Sequence, residues 1–222
     1  TNKAELHRGA MNLKDQSYFL FATTQEQLDF LRFPLGGMSK DETRIEAERL
    51  GLAIANKPDS QDICFVPDGD YAAVVKQLRP DAVESGDIVD QDGVFLGPHD
   101  GVINYTIGQR RGLNIGGGEP LYVLKLEPET NRVIVGPKAE LLQEQVTISD
   151  VNWLGDEPLG VDALEVAVKL RSMTPLLPAT VRATRNDSAQ VTLNSPYAGV
   201  APGQACVFYA GDRMLGGGWI ER

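Results

Sequence analysis

Apolar and polar residues alternate at helical spacing in the first third of the chain. Thr24 and Ser39 each precede a Gln or Glu by three residues, which is the capping-box pattern that begins a helix. The apolar residues after Thr24 predict a short helix that ends before the next proline, and those after Ser39 predict a helix that stops at Gly51. A third short helix is predicted over 70–78. We therefore expect residues 1–80 to be mostly helical.

From about residue 81 the pattern changes to short apolar runs separated by turn residues, which is typical of β-structure. Asp92 and Gly93 predict a hairpin turn, and the runs 121–126 and 132–136 predict a strand pair. Beyond residue 144 the apolar runs predict further strands at 146–148, 164–170, 179–183, 189–193, 205–209 and 214–220. Short strands at this spacing are typical of a small barrel.

This pattern predicts an α+β protein in three parts. They are residues 1–80, a small central β domain over 81–143, and a β-barrel domain over 144–222. Three consecutive glycines, 216–218, indicate that the last strand passes close to another backbone. Cys206 alternates with apolar residues, so we predict that it belongs to the core.

Composition narrows the possible functions. The formal net charge of -10 argues against a nucleic-acid binder held by a global basic field, although it leaves room for a local basic face. His7 and His99 stand in no metal-ligand spacing, so no metal site is expected. The chain has no apolar run long enough to cross a bilayer and opens with no export signal. We therefore expect no membrane partner and a reducing, cytoplasmic location.

Cys64 stands in a stretch that resembles a loop. It lies in the apolar run 63–66, which carboxylates flank on both sides and which Pro67 and Gly69 close. A thiolate needs access and polar neighbours, so this setting suits a reactive cysteine. Free cysteines are more often inert and buried. Both interpretations stay open on the spacing alone.

Several other polar stretches are candidates for binding RNA or phosphate. Glycines and arginines over 108–118 predict either a phosphate-binding loop or a surface hairpin with solvated arginines. The triplet 14–16, the pair 171–172 with Arg182 and Arg185 downstream, and the amide that follows the Pro-Gly turn at 202–203 each suit a recognition patch. Solvated ends of helices, strands and turns would account for the same residues.

Taken together, these motifs resemble one family, the tRNA-specific 2-thiouridylases, which modify the wobble uridine of tRNA. The matching stretches are in family order and span nearly the whole chain, at 14–20, 33–36, 59–65, 105–113, 202–204, 208–209 and 215–218. Each stretch is moderately specific, and the set is much more specific than any single one.

The resemblance implies a defined chemistry. Members of the family use ATP to adenylate the uridine C2 oxygen, and a cysteine persulfide then delivers sulfur while AMP leaves. Cys64 matches the cysteine that carries the persulfide, which a sulfur-donor protein loads. The residues that match tRNA-contacting positions are Lys14, Asp15, Gln16, Arg171, Ser172 and Gln204. Ser172 departs from the family, which commonly has tyrosine at that position.

Two features of the family are absent from the chain: the Ser-Gly-Gly-x-Asp-Ser-type ATP loop and the second, upstream catalytic cysteine. The resemblance therefore implies the C-terminal portion of such an enzyme. It consists of a helical remainder of an α/β ATP-pyrophosphatase domain, followed by two small β-barrel-like domains. We expect that this portion by itself neither binds ATP with magnesium productively nor thiolates tRNA.

An alternative from a different class is a non-enzymatic RNA-binding β-barrel module, in which Cys64 is incidental. A redox protein that pairs Cys64 with Cys206 is disfavoured, because the two cysteines lie in different predicted domains. No DNA partner is expected under either hypothesis.

Overall fold

The computed structural model describes residues 3–11, 14–56, 84–116, 118–185 and 187–221. The chain divides into two compact units, one made of Thr1–Lys57 and Gln143–Arg222 and the other of Pro58–Leu142. Cys64 and the helix predicted over 70–78 lie outside the described residues. The α+β class is confirmed, because the described residues combine a few helices with a closed barrel and a second sheet.

Two capped helices lie in the N-terminal part of the first unit, α1 at Gln25–Phe30 and α2 at Lys40–Arg49. Both predicted capping boxes are present. The hydroxyls of Thr24 and Ser39 each accept a hydrogen bond from the backbone N–H of the residue three positions later. The side chain of that later residue, Gln27 or Glu42, accepts a hydrogen bond from the backbone N–H of Thr24 or Ser39 in return. No helix among the described residues is long and apolar enough to cross a membrane.

Elsewhere, the described part of residues 3–56 is less helical than predicted. It contains a two-residue strand, β1, at Leu6–His7 and a 3₁₀ turn at Ser17–Leu20. A strand of two residues carries no period that the sequence could reveal. It forms because a distant strand of the barrel pairs with it.

A four-stranded sheet forms the second unit. Its strands are β2 (Gly86–Val89), β3 (Phe95–His99), β4 (Tyr122–Glu127) and β5 (Arg132–Gly136), in the order β3-β2-β5-β4. The predicted hairpin and the predicted strand pair are confirmed as β2–β3 and β4–β5, and β2 also pairs in parallel with β5. The core of the sheet consists of Ile88, Val102, Leu113, Val123, Val133 and Val135.

A closed barrel occupies the C-terminal part of the first unit. Its six strands are β6 (Gln143–Trp153), β7 (Leu164–Lys169), β8 (Leu177–Ala183), β9 (Ala189–Tyr197), β10 (Ala205–Ala210) and β11 (Arg213–Ile220). They pair antiparallel in the order β6-β9-β8-β7-β10-β11, and β11 pairs again with β6. The predicted barrel is confirmed, and its closure leaves every strand with two neighbours.

Branched aliphatic side chains fill the barrel, and the fully buried ones include Ile148, Val168, Leu170, Val181 and Val191. Cys206 is buried among them, so its prediction as a core residue is confirmed. Burial raises the pKa of its thiol, because a thiolate would lose its hydration there.

Three glycines allow β11 to close the barrel. A Cβ on Gly216 would lie 2.0 Å from the carbonyl oxygen of Asn152, and one on Gly217 would lie 2.6 Å from that of Cys206. A Cβ on Gly218 would lie 2.7 Å from a third carbonyl oxygen. These separations are too short for any side chain. The predicted close approach to another backbone is therefore confirmed at all three positions.

Candidate nucleic-acid interface

The N-terminal segment packs on the outside of the barrel. β1 pairs antiparallel with β11, which places Leu6 opposite Met214. Next to this pairing lies a second apolar cluster, separate from the barrel interior, to which both regions contribute. Its buried members are Leu6, Tyr18, Phe21, Leu28, Leu154, Ala205, Val207, Tyr209 and Met214.

Strand β10 is buried on both faces because it lies between the barrel interior and the N-terminal segment. Cys206 and Phe208 belong to the interior core, whereas Ala205, Val207 and Tyr209 belong to the outer cluster. The run 205–209 is accordingly apolar without interruption, which is the pattern of a strand covered on both sides. This run was the signal in the sequence that another segment packs on the barrel.

Hydrogen bonds fix the segment in place. The hydroxyl of Tyr18 donates to the carbonyl oxygen of Ala205 at 3.0 Å. The side-chain amide of Asn152 donates to the carbonyl oxygens of Phe21 and Thr23 at 2.7 and 2.8 Å. Packing removes these backbone carbonyls from water, and the hydrogen bonds give them partners. The contact between the N-terminal segment and the barrel is therefore specific as well as apolar.

A further bond joins the side chains of Ser17 and Tyr209, whose oxygens lie 3.0 Å apart in a buried position. Burial raises the pKa of Tyr209 to about 12, although the hydrogen bond to Ser17 opposes the rise. The phenol therefore stays protonated at neutral pH and keeps this bond.

Asp15 lies directly beside this bond, and its side chain has no exposed surface. Its Oδ1 accepts hydrogen bonds from the backbone N–H groups of Ser17 at 3.0 Å and Gly9 at 3.1 Å. Its Oδ2 lies 3.4 Å from Nε of Arg8 and 3.5 Å from Nζ of Lys169. Burial alone would raise the pKa of Asp15. The hydrogen bonds from Ser17 and Gly9 and the charge of Lys169 outweigh it and hold that pKa below its usual value.

Lys169 connects this carboxylate to a second candidate stretch. Its ammonium also lies 3.4 Å from the carbonyl oxygen of Ser172, which it can reach as a donor. The triplet 14–16 and the pair 171–172, far apart in sequence, are thus brought together around one buried ion pair. Lys169 and Arg8 were not among the predicted site residues. A single lysine in a strand pattern gives no indication in the neighbouring sequence that it forms an ion pair with a distant residue.

The predicted tRNA-contacting residues all lie in the first unit, but their exposure differs. Lys14, Gln16 and Gln204 are exposed, Arg171 and Ser172 are half-buried, and only the carboxylate of the first triplet faces into the protein. Gln204 stands at the start of β10, and its backbone N–H donates to the carbonyl of Ala201 in the Pro-Gly turn.

Tyr18 connects the backbone next to Gln204 with the other predicted tRNA-contacting residues. Its hydroxyl donates to Ala205, the residue after Gln204. Burial raises the pKa of Tyr18, while the bond to Ala205 and the nearby positive charge of Arg171 oppose the rise. Tyr18 therefore lies between the start of β10 and the end of β7.

A cleft of about 400 Å³ opens beside the exposed side chains of the triplet. Its lining includes Lys14, Gln16, Arg32 and the stretch 33–36. Phe33 and Leu35 are roughly half exposed, so accessible apolar side chains also line the cleft. Two stretches that carry the family resemblance thus line one cleft, and its lining includes the cationic residues Lys14 and Arg32.

We expect Asp15→Asn to lower the free energy of unfolding by about 2–3 kcal/mol near neutral pH, because it leaves the buried Lys169 without a carboxylate. The folded-state pKa of Asp15 is lower than its unfolded value of about 3.9. Its contribution is therefore complete above that value and is lost as the pH falls through the folded pKa. Urea unfolding of parent and variant from neutral to strongly acidic pH should give a difference that shrinks below about pH 4.

Glu127→Gln is the control for this experiment, because Glu127 pairs with Lys125 on the exposed surface of the second unit. Its effect on the unfolding free energy should be much smaller, since solvent screens an exposed pair. A difference between the parent and Asp15→Asn that stays constant down to the most acidic pH would contradict the assigned ionisation of Asp15.

The Gly-rich stretch of the second unit contains turns that hydrogen bonds hold in place. Its backbone bonds twice to Val123, from Gly108 N–H to the Val123 carbonyl at 2.8 Å and from Val123 N–H to the Gln109 carbonyl at 2.9 Å. The Gln109 side chain accepts from Thr106 N–H and donates to the Arg111 carbonyl. The stretch therefore forms turns, and Arg110 and Arg111 are exposed.

Within the described ranges, no three His, Cys, Asp or Glu side chains are grouped so that they could hold a metal ion. His99 is buried and serves the fold of the second unit. Its Nδ1 accepts from Gly101 N–H at 3.0 Å, and its Nε2 lies 3.0 Å from the carbonyl of Asn131, to which it donates.

Three family models match the chain. A tRNA methyl transferase HUP domain matches residues 1–68, a tRNA methyl transferase PRC-barrel domain matches residues 73–137, and an aminomethyltransferase beta-barrel domain matches residues 143–220. The last of these covers the six-stranded barrel, and the first covers the segment packed on it.

Curated relatives match along almost the whole chain. The tRNA-specific 2-thiouridylase MnmA of Paracoccus denitrificans is 62% identical over 222 residues, which are 98% of this chain and 57% of the relative. The protein of the same name from Rickettsia conorii is 56% identical over 221 residues, which are 100% of this chain and 60% of the relative. The chain therefore spans less than two thirds of the length of these relatives.

Proposed function

Because this chain belongs to the family of tRNA-specific 2-thiouridylases, we propose that it docks tRNA and carries the sulfur that converts the wobble uridine to 2-thiouridine. In this proposal a sulfur-donor protein loads Cys64 as a persulfide, whose terminal sulfur bonds to C2 of the uridine while the activated C2 oxygen leaves with AMP. A second cysteine thiol, the one that the family carries upstream, then attacks the sulfur of Cys64, so that the S–S bond breaks, a disulfide with Cys64 forms and the sulfur stays on C2. Lys14, Gln16, Arg171, Ser172 and Gln204 contact the tRNA. Asp15 supports them from beneath.

One observation carries the tRNA-docking part of the proposal. Two candidate stretches that are distant in sequence meet at the Asp15–Lys169 ion pair, next to a cleft whose lining includes Lys14 and Arg32. Lysine and arginine that line a cleft suit backbone phosphates, and the half-exposed ring of Phe33 suits an unstacked base. A local basic face of this kind reconciles RNA binding with a net charge of -10.

The N-terminus of α2 does not suit the phosphates of ATP. The N-terminus of α2 is occupied by Ser39 and by Glu42, whose carboxylate accepts from the Ser39 N–H at 2.6 Å and would repel a phosphate. The sequence also lacks a Ser-Gly-Gly-x-Asp-Ser-type loop. None of the residues in this proposal is assigned a step in the activation of the uridine.

The test is the affinity of this chain for tRNA. We expect the double variant Lys14→Ala/Gln16→Ala to bind about tenfold more weakly and with a shallower salt dependence, because a phosphate contact is lost. The matched control is Lys138→Ala/Gln145→Ala, which removes the same two residue types at exposed positions outside the cleft. Fluorescence anisotropy over a range of salt concentrations measures both.

If the two double variants lose the same tRNA affinity, net charge explains the effect, and a docking site at the cleft is contradicted. A parent chain that binds tRNA no better than it binds an unrelated RNA hairpin would overturn the proposal as a whole.

A further inference from the structure

Lys169 is a lysine in a position that would suit an aliphatic residue. It ends β7 opposite Val207 of β10, and only 6% of its side chain is exposed. Taking an ammonium group out of water is costly, and a buried ion pair is often no more stabilising than an apolar pair of similar volume. Stability alone therefore gives no reason for a charge here, and the contacts of the ammonium indicate what it does.

Those contacts lie on two different candidate RNA-binding stretches. On one side the ammonium is 3.5 Å from Oδ2 of Asp15, and on the other it is 3.4 Å from the carbonyl oxygen of Ser172. An apolar side chain could fill the same space but could not bond to both groups. The ammonium therefore fixes the distance between the two stretches.

Asp15 passes this constraint on to its neighbours in sequence. Because Oδ1 accepts from the N–H groups of Ser17 and Gly9, the carboxylate holds the backbone on both sides of the exposed residues Lys14 and Gln16. A shift of the carboxylate would therefore move both side chains relative to the barrel.

We propose that Lys169 is a positioning residue for RNA binding, which through Asp15 and the Ser172 carbonyl holds Lys14–Gln16 and Arg171–Ser172 in one fixed arrangement. The inference rests on the proposed tRNA docking and adds to it a residue that would not touch the RNA. Two phosphate- or base-binding stretches held at a set spacing lose less conformational freedom on binding than two independent ones.

Arg8 provides a matched control. It also lies against Oδ2 of Asp15, at 3.4 Å, but its guanidinium reaches Asp212 rather than Ser172. Each of the variants Arg8→Met and Lys169→Met therefore removes one positive charge. In both cases that charge lies beside the carboxylate of Asp15. Of the two, Lys169 is the residue within reach of the Ser172 carbonyl.

The experiment measures tRNA affinity of the 222-residue chain and its variants by anisotropy, at a temperature where urea unfolding shows each to be folded. We expect Lys169→Met to weaken binding at least about fivefold more than Arg8→Met, because the distance between the stretches is no longer fixed. Lys169→Arg, which keeps a cation beside Asp15, should restore most of the affinity.

A thermodynamic cycle separates positioning from simple destabilisation. Lys14→Ala should cost about tenfold in the parent but less than about threefold in the Lys169→Met background, where Lys14 is no longer held in place. Amide hydrogen exchange at Ser17 and Gly9 should quicken in Lys169→Met, while exchange in the barrel core stays slow.

If Lys169→Met does not fold, Asp15→Asn/Lys169→Met takes its place, because it leaves neither an unpaired carboxylate nor an ammonium in the interior. The same loss of affinity is expected from it. Full tRNA affinity in folded Lys169→Met or Asp15→Asn/Lys169→Met, or an undiminished effect of Lys14→Ala in the Lys169→Met background, would overturn the positioning role. A parent chain without tRNA affinity is a separate result, which overturns the proposed function before any variant is compared.

Discussion

Replacing Cys64 by serine is expected to abolish thiolation of tRNA while leaving tRNA affinity close to that of the parent. A serine hydroxyl cannot hold the outer sulfur of a persulfide, so the nucleophile is lost and the rate should fall by at least about a thousandfold. The assay replaces the matching part of the Paracoccus denitrificans relative with these 222 residues, so that the rest of that relative is present. Formation of 2-thiouridine is followed by mass spectrometry of digested tRNA.

Cys206→Ala is the control for this experiment. Cys206 is fully buried in the barrel, and burial raises the pKa of its thiol, so it cannot act as a thiolate at neutral pH. Its variant should keep thiolation once a modest loss of stability is allowed for. Undiminished thiolation by Cys64→Ser would instead favour the alternative, a non-enzymatic RNA-binding β-barrel module.

Gly216→Ala is expected to cause the largest loss of stability of any single methyl added to the barrel. Its backbone has φ of +114°, where a side chain is strained, and its Cβ would lie 2.0 Å from the Asn152 carbonyl oxygen. Strain and overpacking together should lower the free energy of unfolding by about 4 kcal/mol. Urea unfolding followed by tryptophan fluorescence measures it, since Trp153 and Trp219 lie on the two strands concerned.

Gly203→Ala separates the two contributions. Gly203 also has a positive φ, +78°, but a Cβ there would meet nothing within 4 Å. Its cost should be about 1 kcal/mol, which is the backbone strain alone. If the two alanine variants lose the same stability, the close approach of β11 to β6 would not be what requires glycine at position 216.

The parts of this protein that were predictable are those set by residues close together in sequence. Thr24 and Ser39 began helices as predicted, because a capping box involves only four neighbouring residues. The hairpin at Asp92-Gly93 and the six barrel strands followed from turn residues and short apolar runs. The glycines at 216–218 indicated a close backbone approach, although not which strand approaches.

The candidate site also has a part that was predictable from the sequence and a part that was not. Its exposed residues, among them Lys14 and Gln204, were found because their motifs resemble a family, and their roles stay proposals. The buried residues that organise them were not found. Lys169 looks like an ordinary strand-end lysine in the sequence, and the carboxylate of Asp15 looks like an exposed contact rather than a buried one.

The sequence by itself therefore determined the local elements, the closed barrel and the family, since each depends on spacing over a few residues or on motifs in order. Only the tertiary structure decided that the N-terminal segment packs on the outside of the barrel and that Asp15 and Lys169 form a buried pair. The physical reason is that burial and ion pairing depend on which distant segments exclude water together, and spacing within one segment does not record this.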